Sequence, residues 1–265
     1  MKSRRFKLVS SLTLTWLGFC FTVGLADAQG NAAEARLPFG SRGASASTPD
    51  LSLEERGDVY MARKMFREAI ETYGKIEPMT AATLNRIGVA YQEQCDYREA
   101  RTYYERAIKT DRKYAAAINN LGTVHYMRRS YRRATKLYKR ALALEPLSAA
   151  MYINLGMAWL ARHNDAECQR NLQKALELDP EIFERRGGHG PLIQDRNTTE
   201  RAKFDFYMAR LYARQGKTGL ALEYIRKALE YGFKDRKKLL EDEDFAAVRK
   251  LPEFDLLMKQ PPKVL

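Results

Sequence analysis

Apolar and small residues recur along the chain with the spacing of paired amphipathic helices. One predicted helix face is made by residues at i, i+3, i+4 and i+7, namely Leu84, Ile87, Gly88 and Tyr91. A polar break follows, and a second face is then made by Tyr97, Ala100, Tyr104 and Ala107. Two such faces joined by a short break predict a helical hairpin with its apolar residues turned inward.

The hairpin pattern returns at a fixed interval of 34 residues. The interval relates three rows of positions, which are Gly88, Gly122 and Gly156, then Ala107, Ala141 and Ala175, then Tyr104, Tyr138 and Leu172. Several rows at one period indicate an array of a single supersecondary unit. Small residues let two antiparallel helices approach closely, so we expect each glycine to face Ala100, Ala134 or their counterpart Cys168 on the second helix.

These rows resemble the tetratricopeptide repeat, whose pattern is W-x2-L-G-x2-Y, then A-x3-F, then A and P. Units three and four match well and close with Pro146 and Pro180, whereas unit two has Arg112 at that position. In unit one the glycine, Gly57, lies 31 residues before Gly88. The resemblance implies an all-α solenoid of about five helix-turn-helix repeats over residues 50–233.

A fifth unit begins after an insertion of 19 residues, about residues 181–199. Its residues lie 53 positions beyond their counterparts in unit four, and they include Ala209, Tyr212, Gly216, Ala221 and Ala228. Residues 234–265 predict short helices near 236–241, 244–250 and 252–259 that form a C-terminal helical cap, because the last repeat of an array needs its open face covered.

The resemblance also implies that the first helix of each hairpin lines a concave groove. Residue by residue, the candidate partner-binding positions in that groove are Asn85, Arg86, Gln92, Asn119, Asn120, Thr123, Tyr126, Asn154, Lys203, Arg210 and Arg214. Tyr126, Arg210 and Arg214 are the expected anchors, because aromatic and arginine side chains dominate binding energies. The clamp of Lys, Asn, Asn, Lys and Arg with which some family members hold a terminal carboxylate is matched only by Asn154 and Lys203.

The recurring asparagines allow two interpretations. Asparagine is a poor residue in the middle of a helix, so its return in successive units suggests a use. Its amide both donates and accepts hydrogen bonds, which suits the backbone of a bound peptide. The same chemistry equally suits a link between neighbouring helices, and the sequence leaves both open.

The N-terminus predicts an exported protein. A basic MKSRRFK segment precedes an uncharged run from Leu8 to Ala26, and Ala26-Asp27-Ala28 offers small residues at the two positions that a signal peptidase reads. We interpret residues 1–28 as a signal peptide cleaved before Gln29, with an uncleaved membrane anchor as the alternative. Residues 29–49, rich in Ala, Gly and Ser, predict a flexible linker.

The formal net charge is +13, and one stretch is densely basic from Arg128 to Arg140. The simpler interpretation of that stretch is a solvated helix face, and the more specific one is contact with an anionic membrane or an acidic glycan. Nucleic acid is not expected as a partner, because the leader directs export and no nucleic-acid module motif is present. Cys95 and Cys168 lie in different repeats and should be too far apart to form a disulfide.

No motif in the sequence predicts a cofactor, a metal site or catalysis. Gly187, Gly188 and Gly190 surround His189 in the insertion, and a loop is the simplest interpretation of them. The first hypothesis is therefore a non-enzymatic exported adaptor that binds a protein or peptide segment in its groove. The alternative is a cell-envelope assembly factor, for pili, secretion or polysaccharide export, and an enzyme using His189 is a third.

Overall fold

The computed structural model describes residues 51–184 and 198–263. The predicted leader, the predicted linker and the His189 loop lie outside these residues. The described chain contains twelve α-helices and no strand. The helices are α1 (Leu53–Ala62), α2 (Phe66–Tyr73), α3 (Ala81–Glu93), α4 (Tyr97–Thr110), α5 (Ala115–Met127), α6 (Tyr131–Leu144), α7 (Ala149–Leu160), α8 (Asp165–Leu178), α9 (Thr198–Arg214), α10 (Thr218–Glu230), α11 (Arg236–Glu241) and α12 (Pro252–Lys259).

The first ten helices pack as five successive hairpins, and each hairpin stacks on the next. Each unit therefore buries its apolar stripe against its own partner helix and against the neighbouring unit, which is the packing of an α-solenoid. The predicted architecture is confirmed. Both cysteines of the described chain are free thiols, Cys95 exposed and Cys168 buried, as their positions in different repeats predicted.

Every hairpin bend has the same backbone geometry. One residue per bend adopts a left-handed conformation, and these residues are Lys64 (φ 59°), Cys95 (φ 60°), Arg129 (φ 57°), His163 (φ 58°) and Gly216 (φ 74°). In the third bend the N–H of Arg129 donates to the Tyr126 carbonyl at 2.7 Å, and the next N–H, of Ser130, donates to the His125 carbonyl at 2.8 Å. These bonds satisfy carbonyls that a helix end otherwise leaves open.

The glycine rows pack differently from the prediction. A Cβ atom on Gly88 would lie 2.6 Å from Cε1 of Tyr104, and one on Gly122 would lie 2.7 Å from Cε1 of Tyr138. The glycines therefore accommodate the tyrosine rings of the second helix. The prediction that they contact alanine was wrong. A Cβ on Gly156 would meet nothing closer than 3.4 Å, because Leu172 replaces the tyrosine in that unit.

The core continues across the insertion and into the C-terminal cap. Ile182 and Phe183, at the start of the predicted insertion, are buried, and the Phe183 ring centroid lies 5.9 Å from that of Phe204 on α9. The cap consists of α11, two 3₁₀ turns (Glu243–Phe245 and Val248–Lys250) and α12. Its buried side chains are Leu239, Phe245, Val248, Phe254 and Leu257. The middle cap helix predicted from the sequence is thus a pair of 3₁₀ turns.

Candidate functional site

A chain of asparagine amides crosses the side of the array formed by α3, α5, α7 and α9, which we call the first-helix face. Asn120 Nδ2 donates to Asn85 Oδ1 at 3.0 Å, and Asn119 Nδ2 donates to Asn120 Oδ1 at 3.3 Å. Asn154 Nδ2 then donates to Asn119 Oδ1 at 3.1 Å. Four of the predicted site residues therefore form one hydrogen-bonded row, the amide row, which joins three consecutive repeats.

The two ends of the amide row differ in exposure and in chemistry. Asn154 is 4% exposed, and its Oδ1 accepts no hydrogen bond from any residue that the structure describes. Asn85, at the other end, is half-buried, and only its Oδ1 takes part in the hydrogen bonds of the amide row. Each amide carries two N–H donors and two acceptor lone pairs, so the row retains unused capacity along its length. Linking of helices, one of the two interpretations of these asparagines, is what the geometry shows.

Arg86 and Gln92 are tied to neighbouring elements on α3. Arg86 makes ion pairs with Glu54 at 2.5 Å and with Asp58 at 3.3 Å, both on α1. Gln92 Oε1 accepts a hydrogen bond from the Tyr104 hydroxyl at 3.1 Å. Both side chains stay partly exposed. The acids on α1 were missed in the sequence, although their i, i+4 spacing places them on one helix face.

Two predicted groove residues of α5 are buried instead. Tyr126 is 1% exposed and packs edge-on against Tyr131 at 5.2 Å, and Thr123 is 2% exposed and accepts a hydrogen bond from the Tyr138 hydroxyl at 3.1 Å. The reason is helical spacing. Tyr126 lies four residues after Gly122, so it shares the face that turns toward α6. The expectation that Tyr126 anchors a ligand in the groove is corrected.

Arg210 and Arg214, the other expected anchors, hold the cap. Arg210 contacts Asp242 at 3.0 Å and Asp244 at 2.7 Å, and its Nη1 donates to Gln169 Oε1 at 3.1 Å. Arg214 contacts Asp244 at 2.9 Å. Burial raises the pKa of Asp244, but the hydrogen bonds from the two arginines outweigh it, so the pKa lies below its usual value.

The guanidinium groups of Arg210 and Arg214 on α9 are therefore already bound to the protein's own carboxylates. Lys203, the remaining predicted residue of that helix, is half-buried. The sequence analysis did not identify the acidic residues 242–244 as partners of α9. These residues lie in the cap, where the 34-residue repeat that aligns the hairpins no longer applies.

Family models for the tetratricopeptide repeat match residues 51–113 and 115–144. The matched residues are helices α1 to α6, in which the hairpins, bends and glycine rows described above repeat. Residues 51–144 of the chain are tetratricopeptide repeats. Repeat arrays of this kind serve as scaffolds that bind protein partners, and this is the coarse function that the family carries.

Solved structures of MamA are similar to this tetratricopeptide repeat chain. One crystal structure of MamA is 22% identical over 68% of this chain and 96% of that chain, with a TM-score of 0.46. A MamA from Desulfovibrio magneticus RS-1 is 20% identical over 68% of this chain and 92% of that chain, with a TM-score of 0.47. At these values the likeness says nothing about ligands. A search among curated proteins found no match.

Within residues 51–184 and 198–263, no three His, Cys, Asp or Glu side chains are grouped to hold a metal ion. Over the same residues, no helix combines the length and the apolar character needed to cross a bilayer.

Two buried carboxyls should make the stability of the repeats depend on pH. Asp205 on α9 is fully buried, and burial raises its pKa from 3.8 to about 6, against the opposing charge of Arg201 at 3.1 Å. Burial likewise raises the pKa of Glu93 from 4.5 to about 7, against the charge of Lys64. Both groups bind protons more tightly in the folded state, so their stabilising contribution is complete below pH ~4 and is lost as pH rises through 6 and 7.

We therefore expect the free energy of unfolding to fall between pH 4 and pH 7, with Asp205 contributing about 3 kcal/mol of the fall. Denaturant titrations at several pH values measure it. Asp205→Asn should flatten the slope between pH 4 and 6, and Asp255→Asn, an exposed acid on α12, serves as the matched control. Parallel pH profiles for wild type and Asp205→Asn would contradict this reasoning.

Proposed function

We propose that this tetratricopeptide repeat protein is a non-enzymatic adaptor whose first-helix face forms a concave groove for an extended segment of a partner protein. The observation that carries the proposal is the amide row, because it presents one polar stripe across three repeats. An extended peptide offers alternating N–H and C=O groups at a regular rise, and amides satisfy both kinds.

The unused capacity of the row favours a peptide backbone over a charged ligand. The free donors of Asn85 are half-exposed, and Gln92 and Asn120 present further partly exposed amides on the same side. The row holds its own amides in place, so docking a peptide costs little further side-chain entropy.

The leader supports a location outside the cytoplasm. Residues 1–28 carry the basic segment, apolar run and small-residue site of a signal peptide, so we propose export to a bacterial periplasm. Membrane tethering by an uncleaved leader stays the alternative.

The test is peptide capture with variants of the amide row. A library of displayed peptides is selected against the wild-type chain, and individual enriched peptides are then titrated by fluorescence polarisation. The double variant Asn85→Ala with Asn120→Ala should weaken these peptides at least tenfold, since it removes about 1.5 kcal/mol of hydrogen bonding. Both positions are half-buried, so thermal unfolding of the variant is checked alongside.

Gln94→Ala with Gln215→Ala is the matched control, because it removes two exposed amides from hairpin bends rather than from the row. Control and wild type should bind the peptides alike. Equal affinity of the row variant and the wild type would sink the proposal, and so would equal weakening by the two double variants.

A second candidate function, a cell-envelope assembly factor that contacts anionic surfaces, is favoured by one observation. Between Arg128 and Arg140 the structure describes no ion pair to any acidic side chain, although that stretch is the most basic of the chain. Arg140 donates instead to the Arg112 carbonyl at 2.8 Å.

A further inference from the structure

An open pocket lies at the edge of the array, where two consecutive hairpin bends meet. Its volume is about 700 Å³, and it is lined by Arg129, Ser130, Tyr131, Arg132, Arg133 and Arg162. Four of the six lining residues are arginines and none is acidic. We call these four side chains the arginine pocket. They come from the α5–α6 bend, the first turn of α6 and the α7–α8 bend, so the fold gathers what the sequence separates by some thirty residues.

No arginine of the pocket has a carboxylate partner among the residues that the structure describes. Elsewhere in the described chain several arginines pair with acids, as Arg86, Arg101 and Arg201 do. Arg162 only stacks on the Trp159 ring, with its guanidinium 4.3 Å from the ring centroid. Like charges gathered without a counter-charge repel one another, and an anion bound among them removes that repulsion.

The backbone adds to the positive potential at the same place. Helix α6 starts in the pocket, its N-cap Ser130 makes no side-chain capping bond, and its first turn contains no acid. The corresponding caps on α4 and α8, Asp96 and Asn164, accept bonds from their own helices, and each of those helices has acid in its first turn. The α6 N-terminus therefore leaves its dipole uncompensated by the protein.

The same positive charges affect the pKa of a neighbouring histidine. Burial lowers the pKa of His125, on the last turn of α5, and the charges of Arg101, Arg133 and Arg128 lower it further, with Glu105 opposing them.

We propose that the arginine pocket binds the phosphate groups of a ligand that carries more than one phosphate. Guanidinium groups match phosphate oxygens with paired N–H donors, which a Lys ammonium cannot do. Four guanidiniums exceed what one phosphate needs, and 700 Å³ exceeds its size, so the pocket suits clustered phosphates on a larger molecule. This site would be where the second candidate function, contact with an anionic surface, takes place. The inference rests on that candidate function only for the source of the phosphate.

The probe for the pocket is pyrophosphate, titrated into the full chain at two salt concentrations. Trp159 reports binding through its fluorescence, because a ligand that engages Arg162 disturbs the cation that stacks on the indole. Arg132→Gln with Arg133→Gln should raise the dissociation constant at least tenfold. The control, Lys136→Gln with Arg140→Gln, makes the same charge change on exposed positions of the same helix and should shift the constant less than about twofold.

Equal weakening by the two double variants would reduce the binding to general electrostatics and overturn the inference, and so would a wild-type chain that does not bind pyrophosphate. A second arm identifies the source. Co-sedimentation with vesicles that contain cardiolipin, a lipid with two phosphates, but not with phosphatidylcholine vesicles, lost in the pocket variant, assigns the phosphates to lipid. Pyrophosphate binding without sedimentation keeps the site, assigns it to a soluble phosphorylated ligand and rejects the membrane contact.

Discussion

Gly122→Ala is expected to destabilise the protein by about 2 kcal/mol. The added methyl group would lie 2.7 Å from Cε1 of Tyr138, whose ring is fully buried and whose hydroxyl donates to Thr123. Overpacking a rigid core costs up to about 3 kcal/mol, and the better helix propensity of alanine returns about 1 kcal/mol. Denaturant unfolding with a constant m-value measures the loss.

Unit four provides the matched control for Gly122→Ala. A methyl group on Gly156 meets its nearest atoms at 3.4 Å, so Gly156→Ala should be neutral or gain up to about 1 kcal/mol. Tyr138→Leu copies the arrangement of unit four, in which Leu172 faces the glycine. Combined with Gly122→Ala it should cost less than the two single changes added together. Additive losses would show that the tyrosine ring is not what the glycine accommodates.

Arg210→Ala is expected to cost about 3 kcal/mol and to loosen the C-terminal cap. The guanidinium is 20% exposed and is held by Asp242, Asp244 and Gln169. Its removal leaves the partly buried Asp242 without its arginine and leaves Asp244 with Arg214 alone. Because Asp242 caps the first 3₁₀ turn of the cap and Asp244 lies within that turn, limited proteolysis should cut near residues 234–263 sooner in this variant than in the wild type.

Arg226→Ala is the control for the cap, since Arg226 is an exposed arginine on the neighbouring helix α10. It should change the free energy of unfolding by no more than about 0.5 kcal/mol. If Arg210→Ala behaves like this control, the carboxylates do not hold the cap and Arg210 returns to the list of groove residues.

The array could be predicted because small and apolar residues repeat at one interval. Gly88 and Gly122 indicated that space is needed, and the bend at Cys95 was visible as a polar break. The sequence did not show which side chain occupies that space, since a row of glycines is compatible with either an alanine or the ring of Tyr104. That choice depends on how far the two helices are rotated about their axes, which no one-dimensional pattern records.

The candidate site was predictable only in part. The asparagines were found because they are out of place in a helix, and their mutual bonds follow from the stacking of one unit on the next. Tyr126 was placed in the groove although its four-residue distance from Gly122 puts it on the packed face. Arg210 was misassigned because its partners lie some thirty residues away in a cap that has no repeat to align.

The buried pair Ile182 and Phe183 has a consequence for the chain as a polymer. Side-chain packing passes from α8 through Phe183 to Phe204 without following the backbone between residues 184 and 198, and Lys217 reaches Glu184 across the same junction at 3.1 Å. The fourth and fifth repeats are therefore joined by side-chain contacts as well as by the covalent chain. We therefore expect a chain cleaved in that interval to stay associated through these contacts, so that cleavage and dissociation are separate events.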